Sequence, residues 1–492
     1  MSEGYYVPPC FFHPSLTLRV TKSTLTQVPK LHPKQSHYVK TRMLKQLFYP
    51  LAILIAFNTA VQADSPNIIL ILTDDQGWSQ RSGLMDPENP ETGSSYLHTP
   101  SMDRIAAEGM RFTGGYSPAP LCTPTRRSIL CGTSAARSGT EFASAWVPAD
   151  HMTLPRALKQ ANPEYQCAHF GKWGEKMISS PEECGYDVSD GHTGNVTGGM
   201  AEKMQPAHIV EDPKRTGSVT DRSIKFIREQ TKAGKPFYTQ VSYYAVHLRT
   251  ELLQTSLEKY QNKGAPDRAY SQGWAGMLEE LDSGIGRLLA ELDALGISDN
   301  TYVVFTTDNG GRGTVPGGDT KSPAVNAPLS GAKHSLLEGG IRVPLMVRGP
   351  SIEAGSVCRV PVAGYDFLPT FHELAGGKGD LSEELDGGSF VTLFSDPETD
   401  SVKRPIDGLI FSRPRQGMAV IRTGPWKLLA DVNAKREIQS ARLFNVVDDI
   451  AEKRDLFTTH TDKATQLQAR LKTYLETVVD PSPTMRRRKN AD

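Results

Sequence analysis

The sequence predicts an α/β protein in which a mixed, mostly parallel sheet is flanked by helices, with a smaller C-terminal α+β subdomain. Asn67–Thr73 and Thr301–Thr307 are continuous apolar runs with several β-branched residues, and residues 237–244 form a third such run. Uninterrupted apolar runs of this length are typical of strands that are buried on both faces. Such strands, alternating with helical stretches, indicate a parallel sheet covered on both sides.

The helical signal is strongest between the apolar runs at 237–244 and 301–307. Residues 277–295 carry apolar side chains at helical spacing, and Gly296 is a plausible helix stop. Beyond about residue 376 the chain is first acidic and turn-rich. It then has three short apolar strands at 418–421, 426–430 and 443–446, and a helical pattern at 462–478. We therefore expect a large domain at 64–376, a C-terminal subdomain at 377–480 and a basic tail at 481–492.

The N-terminal region has the pattern of an export signal. From Met43 a short basic start leads into an apolar stretch of about eleven residues, which ends in Val61-Gln62-Ala63. A bilayer span needs about 20 apolar residues, so the segment predicts a signal peptide at 43–63 and no stable membrane span. Since such signals begin a protein, we expect Met43 to be the initiator and residues 1–42 to be a mis-assigned extension. The protein would be periplasmic or secreted.

Composition limits the possible partners. The 492 residues carry equal numbers of basic and acidic side chains, so the formal net charge is zero. Nucleic-acid binders usually carry a basic excess, so the charge balance argues against that class. An anionic ligand would need a local cluster of cations. Six cysteines are present, and export would permit disulfides, but their spacing does not show whether they pair.

Acidic and amide side chains follow two of the predicted strands directly. Asp74 and Asp75 come after the first strand, and Asp308 and Asn309 come after Thr301–Thr307. Ligands of open α/β sheets bind beyond the carboxyl ends of the strands. Hard oxygen ligands of this kind suit Ca²⁺ or Mg²⁺ better than zinc. The alternative is that these residues begin loops and cap helices.

A cysteine motif lies between the two clusters. Cys122, Pro124 and Arg126 form Cys-x-Pro-x-Arg, which by itself could be a turn into a helix with an ordinary small cysteine. With its surroundings, this motif resembles the signature of the type I, formylglycine-dependent sulfatases. That family includes arylsulfatases and N-acetylgalactosamine-6-sulfatases and belongs to the alkaline phosphatase superfamily. The resemblance extends from about residue 65 to 456 and implies an alkaline-phosphatase-like fold.

The resemblance implies a nucleophile and a metal. In the family the motif cysteine, here Cys122, is oxidised to formylglycine by a maturation enzyme. The hydrated aldehyde has two hydroxyls, of which one attacks sulfur and the other loses its proton so that sulfate is expelled. One Ca²⁺ per chain would be held by Asp74, Asp75, Asp308 and Asn309 together with an oxygen of the modified Cys122.

Three further motifs resemble the family's cationic residues. Lys172 lies in a Gly-Lys-Trp segment, and Lys333 lies in a Gly-Ala-Lys-His-Ser segment. His247 ends a segment that usually reads Ala-Pro-His. The resemblance makes both lysines ligands of the sulfate group, and it makes His247 a sulfate ligand and a candidate acid for the leaving oxygen. Arg126 would hold the formylglycine environment in place.

One departure from the family concerns proton transfer. The family commonly has a histidine directly after Gly-Lys-Trp, where it accepts the proton of the hydrate, whereas this chain has Gly174. His169, His192, His334 or Asp308 could take over, or turnover could be slow. The metal and nucleophile positions match the family, and the acid–base position does not.

The predicted function is therefore hydrolysis of sulfate monoesters, with sulfated carbohydrates as substrates and aryl sulfates as assay substrates. Two alternatives stay open: a formylglycine-dependent phosphodiesterase or phosphonate monoester hydrolase, and a silent homologue that binds sulfated glycans without turnover. Substrate choice is expected to reside in the loops at 85–96, 185–214 and 312–326, which match no pattern.

Overall fold

The computed structural model of the chain describes residues 65–137, 147, 149–175, 177–200, 205–379, 381, 384–399 and 401–478. The segment 1–42, the predicted signal peptide at 43–63 and the basic tail at 481–492 lie outside the described residues. A search of the described helices finds none that is long and apolar enough to cross a membrane.

Helices and strands alternate through most of the described chain. The helices are α1 (Pro100–Glu108), α2 (Cys122–Cys131), α3 (Leu154–Ala161), α4 (Thr216–Ala233), α5 (Gln254–Gln261), α6 (Gln272–Ala294), α7 (Glu338–Ile341), α8 (Phe367–Leu374) and α9 (Thr461–Thr477). The strands are β1 (Asn67–Thr73), β2 (Met110–Phe112), β3 (Gly115–Tyr116), β4 (Gln166–Gly171), β5 (Val188–Ser189), β6 (His208–Ile209), β7 (Phe237–Ser242), β8 (Glu251–Leu252), β9 (Thr301–Thr307), β10 (Met346–Arg348), β11 (Ser356–Cys358), β12 (Val362–Ala363), β13 (Leu409–Arg413), β14 (Met418–Thr423), β15 (Trp426–Val432) and β16 (Ile438–Asn445).

The large sheet has eight strands in the order β11-β2-β10-β9-β1-β7-β4-β5. Its strands run parallel except β10, which is antiparallel to both of its neighbours, β2 and β9. The sheet is therefore mixed and mostly parallel, which confirms the predicted fold class.

The core lies on both faces of this sheet, as the apolar runs predict. Along β1, Ile69 and Ile71 pack on one face with α6. Ile68 and Leu70 pack on the other face, where α8 contributes Phe371. Because consecutive side chains of a strand point to opposite faces, only a run that is apolar throughout can fill both cores.

The C-terminal subdomain is a four-stranded antiparallel sheet, β13-β14-β15-β16, with α9 on one face. Its other face packs Phe411 and Leu429 against Tyr116 and Leu336, which precede it in the chain. This arrangement confirms the α+β subdomain, whose boundary near residue 376 stays a prediction.

Several predicted element ends need correction. The third strand, predicted at 237–244, ends at Ser242, because the following residues turn back onto the end of β1. The predicted strand at 443–446 begins at Ile438, and β13 was not predicted at all. The helix expected after Pro124 begins at Cys122 itself. The helix predicted at 277–295 extends from Gln272 to Ala294, with the side chain of Ser271 accepting from Trp274 N at 3.2 Å.

Candidate active site

The two acidic clusters lie side by side. β1 and β9 are parallel neighbours with Thr73 opposite Thr307, so the residues that follow them leave the sheet at the same edge. The backbone N–H of Asp75 donates to Asp308 Oδ1 at 3.2 Å and links the two strand ends. Asp75 itself has φ of 62°, a left-handed conformation that is uncommon outside glycine. The predicted metal residues are therefore adjacent and buried.

Three oxygens of this cluster are buried and find no hydrogen-bond partner among the described residues: Asp74 Oδ1, Asp75 Oδ2 and Asn309 Oδ1. The amide nitrogen of Asn309 donates to Asp75 Oδ1 at 2.8 Å, so its amide oxygen is the atom left over. An unpartnered buried polar atom is costly and requires an explanation. A hard cation bound to these oxygens would provide one, so the donor set fits Ca²⁺.

A second donor set overlaps the predicted one. Within the described residues, ligand atoms of Asp74, Asp75 and His247 lie within 4.8 Å of one another. His247 is held there because the chain after β7 bonds to the end of β1: Asp74 N donates to Ala245 O at 3.0 Å, and Val246 N donates to Asp74 O at 2.7 Å. His247 Nε2 lies 3.9 Å from Asp75 Oδ2. The structure thus brings His247 to the cluster, as the motif predicts.

Arg126 connects the cysteine motif to the acidic cluster. Its Nε and one terminal nitrogen lie 3.0 and 2.7 Å from Asp308 Oδ2, and its other terminal nitrogen donates to Lys172 O at 2.7 Å. Burial raises the pKa of Asp308 to about 6; the charge of Asp74 adds to this rise, and Arg126 opposes it. Arg126 therefore holds a ligand residue and the Lys172 backbone in one arrangement.

Both predicted lysines lie on the carboxylates of the cluster. The Lys172 ammonium contacts Asp74 Oδ2, and Lys333 Nζ lies 2.5 Å from Asp75 Oδ1. Burial would lower the pKa of each lysine, but the paired carboxylates raise both pKa values above their usual range. Burial likewise raises the pKa of Asp74, but the charge of Lys172 and other cations brings it well below its usual range. The carboxylate of Asp74 and the ammonium groups of both lysines are therefore charged at the same time.

A close approach of two strands positions Lys172. It follows Gly171, the last residue of β4, and its N–H donates to Ser242 O at 2.7 Å. Gly171 has φ of 93°, and a Cβ there would lie 2.0 Å from the same carbonyl oxygen. Only glycine fits at that position, which explains the glycine of the Gly-Lys-Trp motif.

Cys122 is the first residue of α2 and is almost fully buried. A negative charge on Cys122 would raise the pKa of Lys172, of Lys333 and of Arg126, so the three cations lie within electrostatic range of the sulfur. The five cysteines in the described ranges are all free thiols, which answers the pairing question for them. The nucleophile position, the acidic cluster and the cations thus form one site.

The structure separates the four candidates for the proton-accepting role. His169 packs edge to face against Trp173 at 4.9 Å between ring centroids, and burial lowers its pKa to about 3. His192 is exposed, and His334 is an exposed neighbour of Lys333 with φ of 77°. Asp308 lies in the cluster itself. Asp308 and His334 thus adjoin the site, whereas His169 packs among the aromatic rings of Trp173 and Tyr186.

Sequence reasoning missed one cation near the site, Lys214. Its side chain is buried, and the charges of Asp74 and Lys172 act on its pKa. The only sequence signal was its position in the uninterpreted loop at 185–214. A lone lysine in a loop is usually a surface residue, so no pattern could single it out.

Comparisons with known proteins place the chain in a family. The sulfatase family profile matches residues 66–377. Rat N-acetylgalactosamine-6-sulfatase is 28% identical over 70% of this chain and 68% of its own length. A sulfatase of Formosa agariphila is 26% identical over 81% of this chain and 86% of its own length. The mouse N-acetylgalactosamine-6-sulfatase is covered over 65% of its length, so the chain spans about two thirds of these mammalian relatives.

Solved structures agree with these matches. The complex of Ps i-CgsB with k-i-k-neocarrahexaose superposes with a TM-score of 0.68 at 25% identity, covering 85% of this chain and 94% of that one. Phosphonate monoester hydrolase of Agrobacterium radiobacter superposes with a TM-score of 0.61 at 16% identity over 84% of this chain and 95% of its own, which shows the shared alkaline-phosphatase-like fold. The chain belongs to the sulfatase family and is a sulfuric ester hydrolase.

Proposed function

We propose that this sulfatase removes sulfate groups from sulfated carbohydrates, using a formylglycine made from Cys122 and one Ca²⁺. The observation that carries the proposal is the convergence of Cys122, three unpartnered carboxylate and amide oxygens, and buried cations in one site. The carbohydrate class is supported by relatives named N-acetylgalactosamine-6-sulfatase and by a structural neighbour bound to a neocarrahexaose.

The metal would be held by Asp74, Asp75, Asp308 and Asn309, with an oxygen of modified Cys122 as a further ligand. When bound, Ca²⁺ would supply positive charge that orients sulfate oxygens and acidifies a hydroxyl coordinated to it. The three unpartnered oxygens support this ligand set, because each would gain a partner. All of the ligands are oxygens, as Ca²⁺ prefers.

The formylglycine would supply the nucleophilic oxygen, and the chain around it would favour an anion. Cys122 begins α2, so the free N–H groups of the first helical turn and the positive end of the helix dipole lie beside it. Lys172 and Lys333 would bind the oxygens of the sulfate group. Arg126 keeps Asp308 and the Lys172 backbone in place through the contacts described above.

The proposed role of His247 follows from its tautomer. Its Nδ1 lies 2.8 Å from the carbonyl oxygen of Leu248, which can only accept, so Nδ1 carries the proton. Nε2 is therefore the atom that faces Asp75 and the site. We propose that this atom, once it is protonated as well, donates to the sulfate group and passes its proton to the leaving oxygen.

The remaining assignments belong to the same proposal. We also propose export through a signal peptide at 43–63, and maturation by a formylglycine-generating enzyme, which is required if Cys122 is the nucleophile. We also propose the domain division at about residue 376, because the antiparallel sheet that follows carries none of the predicted site residues.

The decisive experiment is the mass of the peptide that contains Cys122, from cells with the maturation enzyme. Formylglycine is about 18 Da lighter than cysteine, from the atoms exchanged in the modification. The same preparation should release sulfate from an aryl sulfate, and Cys122→Ala should reduce the rate at least about a thousandfold, because it removes the nucleophile. Unmodified cysteine in an active preparation would refute the nucleophile.

Two comparisons then test the reaction class and the substrate. Faster hydrolysis of an aryl phosphate diester than of an aryl sulfate would favour the phosphodiesterase alternative. Binding of a sulfated glycan by fully modified protein without release of sulfate would favour the silent homologue. Sulfate release from monosulfated N-acetylgalactosamine and from carrageenan oligosaccharides would identify the carbohydrate.

A further inference from the structure

Lys214 is a buried lysine whose charge contacts no carboxylate of the described residues. Its side chain is 1% exposed, and its ammonium donates to the carbonyl of Gly198. The nearby carboxylate of Glu251 accepts from the Lys214 backbone N–H at 2.9 Å and from Arg249 Nε at 3.1 Å. In the described part of the chain, no carboxylate contacts the ammonium itself. Buried ammonium groups are nearly always paired, so this one requires an explanation.

The backbone directs this side chain inward. Lys214 and Arg215 have φ of 51° and 53°, a left-handed conformation that ordinary residues seldom adopt. The bond from the Lys214 N–H to Glu251 holds this conformation. Such conformations persist where the surroundings determine them, and they cluster at functional sites.

The carbonyl that holds Lys214 belongs to a segment that packs against Tyr244 and bonds to the end of β4. A Cβ on Gly198 would lie 2.2 Å from the ring of Tyr244, three residues before the predicted sulfate ligand at 247. Thr193, at the start of the segment, donates its hydroxyl to Gly171 O at 2.5 Å and accepts from Gly174 N at 3.1 Å. The segment thus bridges the two strand ends that carry the catalytic motifs.

The charges around Lys214 are those of the site. Burial lowers its pKa to about 8; Glu251 and Asp74 oppose this shift, and Lys172 and Arg249 add to it. The ammonium therefore lies within the electrostatic field of both Asp74 and Lys172. An anion bound beside Lys172 would offset the cost of burying this charge.

We propose that Lys214 is a third lysine of the sulfate site, and that its ammonium binds an oxygen of the sulfate group of the substrate. An ammonium has three N–H donors, and one is used by Gly198, while sulfate oxygens are acceptors only. Gly174 has no polar side chain where the family commonly has a histidine, and Lys214 would add a donor to the site. The inference rests on the proposed function, because it needs a sulfate ester in this site.

The test measures equilibrium binding of inorganic sulfate by calorimetry, with calcium present and Cys122→Ala as the parent so that no turnover occurs. A hydrogen bond to a charged group corresponds to about 10- to 100-fold in affinity. Lys214→Met in this parent should weaken sulfate binding by that factor, and Lys214→Arg should restore most of it. The matched control is Lys225→Met, since Lys225 is an exposed residue of α4 paired with Glu229 at 3.6 Å.

The outcomes separate this inference from the proposed function. Sulfate binding by the parent that Lys214→Met leaves within twofold would overturn the role of Lys214 alone. No sulfate binding by the parent would count against the sulfate site as a whole, and with it against both proposals. Urea unfolding of each variant shows whether lost binding reflects lost folding.

Discussion

The buried charge of Lys214 predicts a pH dependence of stability that runs opposite to that of a paired lysine. Its pKa falls from 10.5 to about 8 in the folded protein, mainly through burial. The unfolded chain therefore binds this proton more tightly, and protonation favours unfolding. The cost is fully present below pH 8 and disappears as the pH rises to 10.5. At 1.36 kcal/mol per pKa unit, it amounts to about 3 kcal/mol.

Lys214→Met removes this cost together with one hydrogen bond. The carbonyl of Gly198 loses its donor, at a cost of about 1 kcal/mol. The variant should therefore be more stable than the wild type by about 2 kcal/mol at pH 7, and less stable by about 1 kcal/mol near pH 10.5. Glu251, Asp74, Lys172 and Arg249 are present in both proteins, so their own titration largely cancels in the difference.

The assay is urea unfolding of both proteins at several pH values between 7 and 10.5. The stability difference should fall by about 1.4 kcal/mol per pH unit above pH 8 and then change sign. Lys225→Met, on the exposed surface of α4, should show a difference near zero at every pH. A Lys214→Met protein that is less stable than the wild type at pH 7 would show that the ammonium is paired in the folded state and would refute the reasoning.

Two further predictions follow. The first concerns the buried ion pairs between the C-terminal sheet and the rest of the chain, and the second concerns the metal. Lys427→Met would leave Glu338 and Glu452 buried without the ammonium that lies 2.9 and 2.7 Å from them, and urea unfolding should show a loss of about 3–5 kcal/mol. Lys472→Met, in an exposed pair, should cost less than about 0.5 kcal/mol, and equal losses would contradict the argument. Chelation of calcium should lower the thermal unfolding temperature, because three buried oxygens would lose the cation that they bind. An unfolding temperature unaffected by chelator would contradict the calcium proposal.

The fold could be predicted where a strand is buried on both faces. In β1 and β9 every residue is buried, so the pattern needs no alternation and is visible in the sequence. The strands of the C-terminal sheet were harder to predict from the sequence. After Ile438, β16 continues with the exposed polar residues Gln439 and Ser440, which carry no apolar signal, and β13 is a five-residue strand after a turn-rich stretch. Both are set by pairing with β15 and β14, which local sequence does not encode.

The site could be predicted where its residues follow strand ends. Asp74 and Asp308 come together because their strands are parallel neighbours in matching register, which a sheet of this class makes probable. The pairing of Lys172 with Asp74, and the tautomer of His247, depend on contacts between segments far apart in the chain. Those contacts decide which atom can carry a proton, so sequence could name these residues without assigning their roles.

Gly174 stands where the resembled family commonly has a histidine, and its surroundings are tightly packed. A Cβ on Gly174 would lie 2.6 Å from Cγ of Met177, which packs in the core behind the site. A histidine at 174 would have to displace that side chain. The position therefore lacks both the histidine and the space that a histidine needs. Lys214, the proposed sulfate ligand, bonds to Gly198, five residues after Thr193, whose backbone carbonyl accepts from Gly174 N. We therefore expect that a histidine introduced at 174 alone could take up its place only if Met177 moves.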